Sequence, residues 1–207
     1  MRGPRERPCV DIAALLSRKA AVRMGTDEVQ EESMDSRKMV IDENHILFNT
    51  HGMYYKEFPS DLRQVRFYTV FIVQRAPEKF KEVNLLEQQL SELIKNAVKH
   101  GNKCDISKKV RVWYDFNKRA KIIIEDEGEG FKQLEEWITF NEARNRCFEE
   151  HDFESMEKYV SFRSKNSTED DGGNALFAAL EYWNGGMVWN AKKNKVVVAR
   201  YYSEEDE

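Results

Sequence analysis

Two neighbouring segments limit what this chain can fold into more than any others. "KVRVWYDF" (109–116) alternates Val110, Val112, Tyr114 and Phe116 with Arg111, Trp113 and Asp115, the period-two pattern of a half-buried strand. Asn117, Lys118 and Arg119 then make a turn into "AKIIIED", whose isoleucine run indicates a more deeply buried strand. "EGEGF" ends that strand abruptly. The fold must therefore supply a sheet in which the second strand is well covered.

The flanking patterns suggest what covers it. "PSDLRQVRFYTVFIVQRA" carries Leu62, Val65, Tyr68 and Ile72 at helical spacing, with Ser60 as the expected N-cap. Pro77 separates this helix from a second one with a stripe of Leu86, Leu90, Leu93 and Ala97, which Gly101 is expected to stop from the C′ position. Residues 132–171 are acidic, aromatic and mostly helical in character. "NALFAALEYW" reads as a further helix, and "MVWNAKKNKVVVARYY" reads as a closing hairpin. With a β segment at "HILFNTHGMYYKEF", the order is β, α, α, β, β, lid, α, β, β. This predicts an α+β fold, one mixed sheet covered on one face by helices. Residues 1–44 are expected to be a flexible tail and linker, 45–203 the domain, with the lid at about 132–171, and 204–207 an acidic tail. The tail could equally be sequence upstream of a start at Met24.

Composition narrows the function classes. A net charge of −4 argues against a nucleic-acid binder, and no apolar run approaches a membrane span. Asp11 interrupts the N-terminal apolar stretch and no clean cleavage site follows, which argues against export. Cys9, Cys104 and Cys147 lack metal or disulfide spacing and read as reduced thiols in a cytoplasmic protein.

Three clusters carry chemistry. In "SELIKNAVKHGN" (91–102), Glu92, Asn96 and Lys99 recur at helical spacing. A carboxylate, an amide oxygen for a hard cation and an ammonium for phosphate suit magnesium–nucleotide chemistry. In "EDEGEGF" (125–131), Asp126 sits at a strand end, and Gly128 and Gly130 let the chain bend and approach a ligand closely. In "DDGGNAL" (170–176), glycines open a helix and expose its N–H groups to an anion. Each cluster alone has an ordinary alternative: a solvated helix face, an acidic surface turn, and an Asp171 or Asn174 N-cap.

Taken in order, the clusters resemble the three nucleotide-binding boxes of the GHKL ATPase superfamily, the histidine-kinase-like ATPases, across most of residues 60–202. Within it, the chain is most similar to the bacterial anti-sigma-factor serine/threonine kinases. The resemblance implies a two-layer α/β sandwich with an ATP lid, and ATP and Mg2+ as cofactors. It makes Asn96 the magnesium ligand and Glu92 the general base, with Lys99 and His100 near the phosphates. Asp126 would hold the adenine amine, Gly128, Gly130 and Phe131 would form the turn beside the base, and Gly172 and Gly173 would approach from the lid side. Two features depart from the family: Ala175 replaces the second glycine of the third box, and "FEEHDFESMEKYV" in the lid has no counterpart. The implied function is a cytoplasmic homodimeric kinase that sequesters a sigma factor and phosphorylates an anti-anti-sigma antagonist, contacting neither nucleic acid nor membrane. A non-catalytic nucleotide-gated binding module and a plain ATPase are the competing functions.

Overall fold

Strand β1 is Met39–Ile41, β2 Tyr54–Pro59, β3 Lys109–Asp115, β4 Arg119–Glu125, β5 Met187–Trp189 and β6 Lys195–Tyr201. This computed structural model describes residues 39–78, 85–160, 162 and 175–201. The strands form one six-stranded mixed sheet in the order β1-β5-β6-β4-β3-β2. Among the described residues, β1 and β5 run parallel and the other pairs are antiparallel. The expected closing hairpin is β5–β6, with Val188 opposite Val197, and the expected turn after β3 pairs it with β4, with Arg111 opposite Glu125 and Asp115 opposite Lys121.

The isoleucine run has a direct structural reason. Strand β4 lies between β3 and β6, and both its faces are covered. Ile122 and Ile124 join the main core under the helices, while Ile123 joins a smaller core on the opposite face with Leu47, Val188, Val197 and Ala199. Leu47 comes from a short 3-10 turn, Ile46–Phe48, which His45 caps through its ring. The segment around it is pinned by Lys121, whose Nζ donates to the Asn49 carbonyl at 2.7 Å. The sheet thus carries helices on one face and a looped segment on part of the other.

Among the described residues the α-helices are α1 Val65–Val73, α2 Leu85–Asn96, α3 Leu134–Glu149, α4 Phe153–Met156 and α5 Ala175–Tyr182. The expected stripe of α2 is buried at Leu86, Leu90, Leu93 and Ala97. In α1, Val65, Tyr68 and Ile72 are buried, and Phe58 of β2 stacks on Tyr68 with ring centroids 4.3 Å apart.

Four sequence expectations need correction. Met39–Ile41 was expected in the linker, yet it adds a parallel edge strand, so the sheet begins upstream of His45. Ser60 is not the cap of the first helical segment. Asp61 accepts from the Arg63 N–H there, and the buried Ser60 hydroxyl accepts from Asn102 Nδ2 at 2.6 Å. Part of the expected lid belongs to the core: Leu134 and Trp137 of α3 are fully buried, and Trp137 lies 4.8 Å from Phe177 of α5, ring to ring. Large apolar side chains at the start of this helix are stabilised by burial in the main core, which ties the helix to the domain. Finally, Gly101 is not a left-handed stop, as described below. Residues 1–38, positions 170–174 of the third cluster and the acidic tail lie outside the described residues. Among the described residues, no helix is long and apolar enough to cross a membrane.

Candidate functional site

Helix α2 does not end as an α-helix. From Ala97 to Gly101 the chain follows a π turn, and the backbone N–H groups of Asn102 and Cys104 reach back to the Ala97 and Val98 carbonyls, each at 2.8 Å. Single π turns of this kind recur at functional positions in helices. Gly101 itself has an ordinary backbone, and the left-handed residues are Lys103 and Cys104, at φ 59° and 57°. The π turn also alters the face reading. The α-helical spacing that relates Lys99 to Asn96 does not hold through a π turn.

What Gly101 supplies is room. A Cβ on it would overlap the Asp126 carboxylate, and a Cβ on Gly128 would overlap the Gly101 carbonyl. The end of α2 and the turn after β4 are therefore packed backbone to backbone around one carboxylate. Gly101→Ala should cost about 1–3 kcal/mol by overpacking, read as a lower denaturant midpoint with unchanged slope. A neutral effect would mean that the helix end does not press on the turn.

Asp126 is held from three sides. Its Oδ1 accepts from the Gly128 N–H at 2.8 Å. Its backbone N–H donates to the Asn194 carbonyl at 2.9 Å, and its carbonyl accepts from Asn194 Nδ2 at 2.6 Å. On the helix side, Asn102 Oδ1 accepts from the Glu127 N–H at 2.7 Å. Burial pushes the carboxyl up from the usual 3.8 to about 6; the Gly128 bond, Lys192 and Lys108 pull it back, and Glu125 adds to the rise. A carboxylate confined by glycines, its pKa raised by burial yet still below neutral pH, is suited to pairing with a donor on a ligand.

The remaining expected residues divide clearly. Gly130 adopts φ +89° and passes so close to the Lys192 carbonyl that a Cβ would collide with it. Phe131 turns inward, 5.9 Å from Trp189 ring to ring, and its N–H donates to the Lys193 carbonyl at 3.0 Å. Glu92 and Asn96 lie on the half-exposed face of α2, where Lys95 Nζ approaches Glu92 Oε1 to 3.4 Å. Lys99 is half-buried and His100 exposed, both in the π turn. Gly172 and Gly173 lie outside the described residues. Ala175 opens α5.

Sequence reading missed the buried amides. Asn102, Asn190 and Asn194 are all buried. Asn190 Oδ1 accepts from the Asn194 and Lys195 N–H groups, each at 3.0 Å, and its Nδ2 donates to Asn194 Oδ1 at 3.0 Å. A buried amide must satisfy its hydrogen bonds, but its partners cannot be read from a single sequence. The available signal was Asn102 directly after the glycine that ends a helix.

A separate cleft of about 270 Å³ opens between α3 and α5, lined by Asn141, Arg144, Phe148, Phe177 and Leu180 among others. It contains none of the residues expected to touch a nucleotide. Compared with known proteins, the chain matches no family model and no curated sequence.

Proposed function

We propose that this chain is an ATP-binding regulatory protein of the histidine-kinase-like ATPase type, acting as a serine/threonine protein kinase and anti-sigma factor. It phosphorylates an antagonist protein and sequesters a sigma factor. The observation that carries the reading is the packing of the α2 end on the Asp126 turn through Gly101 and Gly128. Two sequence clusters separated by a whole hairpin meet there, and the confined carboxylate suits the exocyclic amine of adenine. Asn96, Lys99, His100 and Glu92 then serve the phosphate end, and Phe131 supports the turn from below. Gly172 and Gly173 complete the phosphate side in this reading.

Magnesium fits the donor set. Among the described residues, no group of three or more His, Cys, Asp or Glu side chains could hold a metal. Magnesium keeps several waters and takes few protein ligands beside substrate phosphates, so one amide oxygen from Asn96 meets that demand. Asn96 would hold the ion, which when bound would neutralise charge on the phosphates. Glu92 accepts the proton of a substrate hydroxyl, for which it must part from Lys95. An exposed pair of this kind contributes only about 0.2–1 kcal/mol, so parting is inexpensive.

The pairing of Glu92 with Lys95 also favours a second reading, a non-catalytic nucleotide-gated module in the same partner-switching scheme. Incubation of the chain with labelled ATP and small antagonist-like proteins, beside nucleotide-dependent pull-down of a sigma factor, separates the two. Transfer supports the kinase, binding without transfer supports the module, and failure of both removes the anti-sigma reading. Mg-ATP at a hundredfold excess over its Kd should stabilise the fold by about 2.7 kcal/mol. Asn96→Ala should lose the magnesium-dependent part of that gain. An unchanged thermal shift with and without magnesium would show a solvated helix face only.

A further inference from the structure

We propose that Asn102 is a positioning residue that locks the phosphate-side helix to the base-side turn, so that the two ends of the site move as one unit. This rests on the nucleotide reading above for its functional meaning, and on hydrogen-bond geometry for its substance. The Asn102 side chain is fully buried and joins four segments. Its Oδ1 accepts from the Glu127 N–H at 2.7 Å, next to Asp126. Its Nδ2 donates to Ser60 Oγ at 2.6 Å, ahead of α1, and to the Lys109 carbonyl at 2.9 Å, at the start of β3. Its own N–H closes the π turn on the Ala97 carbonyl. Both side-chain amide hydrogens and one oxygen lone pair are therefore engaged, an arrangement that leaves the amide no other rotamer.

The consequence follows from where these bonds end. The Glu127 N–H is one residue from the carboxylate and one from Gly128, whose N–H orients Asp126 Oδ1. Without Asn102, the turn keeps the Asn194 clamp and the Glu127 side-chain bonds to the Lys109 N–H and Arg111 on its sheet side, and loses its bond to the end of α2. The Asp126 carboxylate keeps its Gly128 N–H bond, but the segment that carries that N–H is then less firmly placed against Gly101. The charged groups facing it are Lys192, Lys108 and Glu125, none of which replaces a lost backbone anchor. Exposed surface asparagines do not act this way; burial and four-way bonding do.

The test uses the full chain. Asn102→Ala should accelerate hydrogen exchange at the Glu127 and Gly128 amides at least tenfold relative to those of β3 and β4, and weaken Mg-ATP binding by tenfold or more. Ile72→Val, a core change in α1 remote from the turn, should lower thermal stability while leaving both readouts at parent values. Ser60→Ala removes one partner of Nδ2 and should give a smaller effect of the same kind, which decides the matter if Asn102→Ala does not fold. Unchanged exchange at Glu127 and Gly128 in the folded Asn102 variant, or in Ser60→Ala where that variant is the one that folds, overturns the proposal. Exchange that rises equally in Ile72→Val also overturns it, because the effect is then global. If the parent binds no ATP, the nucleotide reading falls, and the exchange data alone decide whether Asn102 holds the turn.

Discussion

Asp126→Asn should lower ATP affinity about tenfold to a hundredfold while leaving the unliganded protein at least as stable as the parent at pH 7. The two halves of this result have different causes. A charge-assisted hydrogen bond to the adenine amine contributes about 1.5–3 kcal/mol, and each 1.4 kcal/mol is about a tenfold change in Kd. The stability half follows from the raised pKa. In the folded state Asp126 titrates at about 6 rather than 3.8, so between those values the folded chain binds more protons than the unfolded one. Stability then falls as pH rises through that window, and above it the half-buried charge remains a cost. The amide removes that cost and can still accept the Gly128 N–H. The parent's stability should accordingly rise as pH is lowered from about 6 toward 3.8 at this site, a slope absent in the variant. ATP affinity of the parent should fall as pH is lowered through the same window, because protonation replaces a charge-assisted bond to the amine with a weaker neutral one. A variant that is both less stable and unchanged in ATP affinity would make Asp126 a structural residue. Isothermal titration and denaturation across pH 4–8 read both quantities.

Glu92→Gln should reduce phosphoryl transfer to an antagonist protein by about 10²–10⁴-fold while ATP still binds. The substitution keeps shape and hydrogen bonding and removes only the proton acceptor. Glu92 and Lys95 are each nearly half exposed, at 43% and 45%, so loss of their pair should not disturb folding. Single-turnover transfer with labelled ATP measures the chemical step, and a parallel binding titration separates it from affinity. Transfer at the parent rate in Glu92→Gln would remove the general-base role. No transfer in the parent itself would leave the nucleotide-gated module.

Much of the fold was legible because burial repeats along a chain. The stripe of α2, the alternation of β3 and the isoleucine run of β4 each state which side faces the core, and the sheet obeys them. The sequence by itself determined these elements, their order and the presence of Asp126 and its glycines at a strand end. Only the tertiary structure decided that three residues, Met39–Ile41, pair parallel with β5, since a strand this short has no period of its own to read. It alone decided that α3 packs as core, because a helix rich in Glu carries its burial in a few positions such as Leu134 and Trp137. The reason for Gly101 is likewise non-local: its missing Cβ makes room for a carboxylate from the far side of a hairpin, while local rules assign such a glycine to a left-handed cap. The Asn102 bond to Ser60 spans 42 positions of sequence. Hydrogen-bond partners at such separations leave no periodic trace, because they are chosen by how the layers pack and not by the repeat of any one element.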